Sequence, residues 1–181
     1  MEEQSPGIMV NIRNLSWRQW KRVFLLMLLF VLIMIAIGSS SPLSENQSSD
    51  ILREFENNLP EIDTQPIFTN NFIIASIMVI PIFGIAIGVM ILYTTGVIIA
   101  ATGMSVNIPG ILLLLSLLVF PFSWLEFLSY AAAMTQSIFL VLGLFRKHLK
   151  KELIRTAFLL ITIFIMLFVA AFIETVLINL L

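Results

Sequence analysis

Cysteine is absent from the 181 residues, and histidine occurs once, at His148. The first absence excludes disulfides, thiolate metal sites and cysteine nucleophiles. The second leaves no partner imidazole for a metal, so His148, set in a basic stretch, reads as a solvated loop residue. Charge is scarce as well: Asp, Glu, Lys and Arg make up 12% of the chain, about half the share found in soluble domains. From Thr64 to Phe145 the scarcity is nearly complete, with Glu126 the one formal charge in 82 residues. A stretch this apolar has to be dissolved in lipid. The 59% hydrophobic content and the mean hydropathy of +1.03 agree with that class. No nucleotide-binding motif, soluble catalytic domain or cofactor signature is visible, and nothing points to nucleic acid.

The charges that remain are segregated. Residues 1–22 sum to +2, residues 39–68 to −5 and residues 146–155 to +4. Excess Lys and Arg marks cytoplasmic segments, so the N-terminus and the 146–155 loop are expected inside and the acidic 39–68 loop outside. An odd number of crossings must then separate Asp63 from Arg146, and three fit best. The expected spans are 20–38, 70–92, 96–120, 123–145 and 156–181. The expected fold is therefore an all-α, polytopic transmembrane bundle of five spans, N-terminus in and C-terminus out. A cytoplasmic segment 1–19 precedes a single transmembrane domain, 20–181. Trp17 and Trp20 suit the headgroup level, with Lys21 and Arg22 reaching back to it. A secretory leader ending at Ala36-Ile37-Gly38 reads similarly, but the apolar run of 16 residues is long for one and favours an uncleaved anchor.

Within the acidic loop, Ile51, Leu52, Phe55 and Leu59 recur at helical spacing after Asp50, and Pro60 ends the run. This predicts a short amphipathic helix on the membrane surface. Asn46-Gln47-Ser48 is a glycosylation sequon, weak at this length. The 96–120 span is interrupted at Asn107, Pro109 and Gly110, where proline removes an amide donor and disfavours helix before it. Backbone groups freed at that depth must face protein or a wet cavity. A second topology makes 70–103 one long tilted helix and 105–120 a re-entrant piece.

Helical rise places the polar groups. Glu126 lies about 28 Å from the inner face and Glu174 about 27 Å from it. Both carboxylates thus fall near the outer boundary, beside Asn70 and Asn71. On the fourth span Glu126, Ser129, Tyr130, Ala133, Gln136 and Ser137 form one stripe, which should turn toward other helices because a carboxylate in lipid costs about 3 kcal/mol. The candidate functional cluster is Asn70, Asn71, Glu126, Tyr130 and Glu174. Two readings of Glu126 stay open. Ser123-Trp124-Leu125-Glu126 matches a capping box, or the carboxylate contacts a ligand, ion or partner. Gly84 and Gly88 make a small-residue face suited to internal packing. The basic cluster reads first as a topology signal and second as a site for anionic lipid or a cytoplasmic partner.

The order of these features resembles the stage II sporulation protein M family across residues 20–181. The carriers are Phe68-Thr69-Asn70-Asn71 opening an apolar helix, then Gly84, Gly88 and Gly96, then Pro121-Phe122-Ser123-Trp124-Leu125-Glu126, and Ala170-Ala171-Phe172-Ile173-Glu174 near the end. In that family the segment at Pro121 usually reads Pro-His-Gly-x-x-Glu; Phe122 and Ser123 replace the histidine and glycine, so only the proline and glutamate carry over. The namesake is a membrane scaffold in a peptidoglycan-remodelling complex. The resemblance therefore implies a non-enzymatic assembly factor in the cell membrane, partnered by the bilayer and by other membrane or envelope proteins. The competing function is a small permease in which Glu126, Glu174, Asn71 and the break at Asn107 and Pro109 line a path. No inverted repeat supports it, and it would call for a homo-oligomer. An intramembrane hydrolase is more distant, since no nucleophile or base accompanies the carboxylates.

Overall fold

The computed structural model of the chain describes residues 17–58 and 63–180, apart from the side chains of Glu56 and Asn58. Most of the cytoplasmic segment expected over 1–19, and Leu59, Pro60 and Glu61 of the acidic loop, lie outside the described residues. What is described is helical with no strand: α1 Trp17–Ser39, α2 Glu45–Asn58, α3 Thr64–Met78, α4 Phe83–Ser105, α5 Gly110–Leu117, α6 Pro121–Phe145 and α7 Leu149–Leu180. Among them, α1, α4, α6 and α7 are long and apolar enough to cross a membrane. Helix α3, at 15 residues, rises about 22 Å, less than a bilayer core.

The first, fourth and last expected spans correspond to α1, α6 and α7. The middle of the chain is cut differently from the expectation of 70–92 and 96–120. Leu92 and Gly96 lie inside one continuous helix, α4, and the turn falls earlier, at Val79 to Ile82. The cause is Pro81, which has no amide to donate and disfavours helix at Ile80. Ile82 takes a positive φ of 70° and Phe83 N donates to Pro81 O (2.8 Å), a γ-turn geometry. Gly84 completes the bend: a Cβ there would lie 2.1 Å from Met78 O. Ser137 Oγ of α6 donates to Ile80 O (2.8 Å), pinning the turn to the bundle. The second topology, a single helix over 70–103, fails at the same proline.

The break at Asn107 is present, but it closes α4 rather than dividing one span. Ile108 N donates back to Gly103 O (2.7 Å) with Asn107 at φ 57°, a left-handed cap that asparagine tolerates well. Helix α6 ends the same way, with Lys147 at φ 57° and His148 N donating to Gly143 O (3.0 Å). Helix α7 then starts at Leu149, so the expected 146–155 loop shrinks to the three-residue turn Arg146 to His148, while Lys150, Lys151 and Arg155 ride on the first two turns of the helix.

Helix α2 begins at Glu45, six residues before Ile51, where the expected spacing starts. Ser44 N donates to Gln47 Oε1 (2.9 Å) and Gln47 N to Ser44 Oγ (3.4 Å), a reciprocal cap over Ser44-Glu45-Asn46-Gln47. Ser48, the sequon's serine, is buried, and its hydroxyl donates to Ala101 O of α4 (3.0 Å). The helix is thus packed on the bundle.

Helix α6 is the centre. Ser129 through Ser137 are buried without interruption, and nine consecutive residues cover every face of a helix, so α6 is enclosed all round. Helices α1, α3, α4 and α7 surround it. Helix α3 lies against α7 through edge-on rings, Phe68 and Phe72 on Phe164 with centroids 4.8 and 5.4 Å apart. Helices α1 and α4 touch backbone to backbone: a Cβ on Gly96 would stand 2.3 Å from Ile35 O, and one on Gly38 2.3 Å from Tyr93 O. Such approaches replace the hydrophobic drive that lipid does not supply. The outer surface carries Leu25, Met90, Phe158, Ile161 and Phe172, all largely exposed, as a lipid-facing surface requires.

Candidate functional site

Polar side chains gather at the two ends of α6. Toward its start, Asn71 of α3 donates through Nδ2 to Glu126 Oε1 (2.5 Å). Glu174 of α7 lies within electrostatic range of Glu126, and both act on the buried hydroxyl of Tyr130, one helical turn further along α6. Thr64 Oγ1 donates to Thr175 Oγ1 (3.1 Å), which ties the start of α3 to α7 beside Glu174. Asn71, Glu126, Tyr130 and Glu174 therefore converge from three helices. Asn70 does not join them; it is exposed on another face of α3.

The capping-box reading of Glu126 does not survive. Helix α6 begins with Pro121 in its first position, its N-cap is Phe120, and no side chain caps it. Ser123 is already inside the helix, because proline's fixed φ suits the first helical position and moves the start upstream. Glu126 turns to Asn71 instead.

Asn107, Pro109 and Gly110 sit elsewhere. They line an open cavity of about 490 Å³ with Ser39, Ser40 and Ser41, between the ends of α1 and α4 and the start of α5. Its lining is uncharged, and neither Glu126 nor Glu174 contributes to it. The carboxylates and the helix break thus do not share this cavity.

At the other end of α6 stands a network that the sequence reading did not assemble. Trp20 Nε1 of α1 donates to Gln136 Oε1 (3.4 Å), and Gln136 Nε2 donates to Thr156 Oγ1 (3.0 Å) and toward the Glu152 carboxylate and carbonyl (3.3 Å each). Thr156 Oγ1 donates to Glu152 O (2.8 Å), and Arg155 Nη1 stands 3.7 Å from Glu152 Oε2. Gln136 is fully buried and Glu152 is 3% exposed. The Arg155 guanidinium lies 5.6, 5.5 and 5.4 Å from the ring centres of Trp17, Trp20 and Phe139. Glu152 and Thr156 are one turn apart, the spacing at which two side chains share a helix face. With an intramembrane glutamine opposite, that spacing was the available signal.

Chemically, the Glu126 cluster supplies oxygen donors and one amide, suited to holding a proton, a cation or a partner's cationic side chain. Among the described residues no three His, Cys, Asp or Glu gather as a metal site. No buried side-chain nitrogen or oxygen lacks a hydrogen-bond partner among them either. A family model described as stage II sporulation protein M matches residues 23–177. Neither the curated proteins nor the solved structures give a match.

Proposed function

The chain belongs to the stage II sporulation protein M family, and from that premise we propose that it is a non-enzymatic, multi-pass cell-membrane protein that positions envelope or membrane partners. In this reading α1, α4, α6 and α7 cross the bilayer and the shorter α3, extended by the turn at Val79 to Ile82, makes the remaining crossing, with the basic end of the bundle in the cytoplasm and α2 outside. The observation that carries the proposal is α2. It is a polar, exposed helix whose Glu45 and Asp50 face solvent, yet Ser48 and the packing on α4 hold it at a fixed place. A charged surface fixed to a bundle is suited to recognising a basic partner surface, and electrostatic complementarity selects partners and orients them. The polar groups of the bundle interior, by contrast, bond to one another or to backbone carbonyls.

The test uses a photo-crosslinking residue at Ser49 in cells. We expect a discrete adduct that Glu45→Gln with Asp50→Asn removes without lowering the protein's abundance. An adduct indifferent to those charges would end the reading. The absence of native cysteine makes orientation equally testable: single cysteines at Ser49 and Lys151 should label from opposite sides.

One observation favours a permease, the uncharged 490 Å³ cavity at the α4–α5 break. Ser40→Leu with Ser41→Leu, which fills the polar side of that cavity, separates the two functions in reconstituted vesicles. Solute or ion flux abolished with the fold intact would replace the scaffold reading.

A further inference from the structure

We propose that Lys21 and Arg155, both held against the Trp17 ring, seat the phosphate of an anionic phospholipid at the basic end of the bundle. The proposal goes beyond the scaffold reading and does not depend on it. The Lys21 ammonium lies 5.5 Å from the Trp17 ring centre and the Arg155 guanidinium 5.6 Å from it. Two cations from two helices, α1 and α7, therefore converge on one indole that is itself 59% exposed.

Arg155 is preorganised for an oxyanion. Rings of α1 and α6 stand against its guanidinium, and a cation–π contact uses none of its N–H groups as a hydrogen bond would. Its described carboxylate neighbour is Glu152, at 3.7 Å, beyond hydrogen-bond length. Glu152 is in turn engaged by Gln136. Lys21, Arg155 and Glu152 together leave a net positive charge, and exposed Arg18, Arg22, Lys150 and Lys151 at the same end add to it. Because the rings already restrict the arginine, little of its side-chain entropy remains to be lost on binding.

The apolar surroundings select a lipid over a soluble anion. On α1, Trp17, Lys21, Leu25 and Leu29 follow one another at four-residue spacing, so they form a single row along the helix. Leu25 and Leu29 are 62% and 55% exposed. On α7, Phe158 follows Arg155 by one turn and is 68% exposed. A phosphate on the two cations would thus have acyl-chain surface directly along the helices, and tryptophan marks the depth at which headgroup meets chain.

The experiment titrates the purified full chain, carrying Trp124→Phe so that only Trp17 and Trp20 report, with brominated phosphatidylglycerol or brominated phosphatidylcholine. Quenching should favour the anionic lipid. Lys21→Gln should weaken it about fivefold, and Lys21→Gln with Arg155→Gln about 25-fold, from about 1 kcal/mol per basic residue at a membrane surface. Lys21 is exposed, so its single variant keeps the Glu152 network and serves if Arg155→Gln does not fold. Arg155→Lys should fall between wild type and Arg155→Gln, because it keeps charge and loses the fork. Equal quenching by the two lipids overturns the proposal, as does an unchanged preference in Lys21→Gln. Displacement by inorganic phosphate at matched concentration would make the site one for free anions and also overturn it.

Discussion

Both ends of α6 are polar, but they are built differently. Near Gln136 the groups form a closed circuit, in which indole, amide, hydroxyl and carboxylate each have a partner and three helices are joined. Near Glu126 the hydrogen bonds between helices are separate single links, Asn71 to Glu126 and Thr64 to Thr175, with Glu174 and Tyr130 close by. A closed circuit holds helices in place and has little capacity left for a ligand. An open one contributes less to stability and keeps its chemistry available. The contrast assigns a structural role to the buried Gln136 circuit, with Lys21 and Arg155 left on its rim, and leaves Glu126 and Glu174 as the interior carboxylates whose chemistry stays available.

The sharpest way to break that contrast is Gln136→Leu. It strands the Trp20 indole and the Glu152 carboxylate in a buried site, and we expect a loss of about 3 kcal/mol or more, read as thermal unfolding in detergent. Gly96→Leu comes next. Its side chain must push α1 from α4, with an expected cost of about 1–3 kcal/mol, and a cysteine pair placed across α1 and α4 should lose its cross-link. Ser48→Ala removes the bond to Ala101 O and should cost about 1 kcal/mol, seen locally as faster proteolysis of α2. Glu126→Gln should be mildest, below about 1 kcal/mol, because a glutamine oxygen still accepts from Asn71. If Glu126→Gln unfolds the protein as readily as Gln136→Leu, the two ends do not differ in the way described.

The pattern of legibility follows from what linear sequence encodes. Helices α1, α6 and α7 were readable because length and apolarity suffice to specify a span. The meeting of Asn71, Glu126 and Glu174 was readable because helical rise converts residue number into depth. Pro81 was overlooked because the apolar run continues through it, and continuity outweighed one missing amide. The start of α2 is encoded in Ser44 and Gln47, seven and four residues ahead of Ile51, where the hydrophobic spacing begins. Glu152 was hidden for a different reason. Counting charges along 146–155 says nothing about which face of a helix turns inward, and only the Gln136 opposite makes one of those faces a protein interior.

The enclosure of α6 has a consequence for biosynthesis. A segment carrying a glutamate, a glutamine and a tyrosine is a poor lone resident of lipid, and its stability there depends on neighbours on every side. Helices α1, α3 and α4 are already made when it emerges, and only Arg146, Lys147 and His148 separate it from α7. The last wall of its housing is therefore delivered almost as soon as it is needed. Truncating the chain after the turn should leave α6 bare on that side and mark the fragment for degradation.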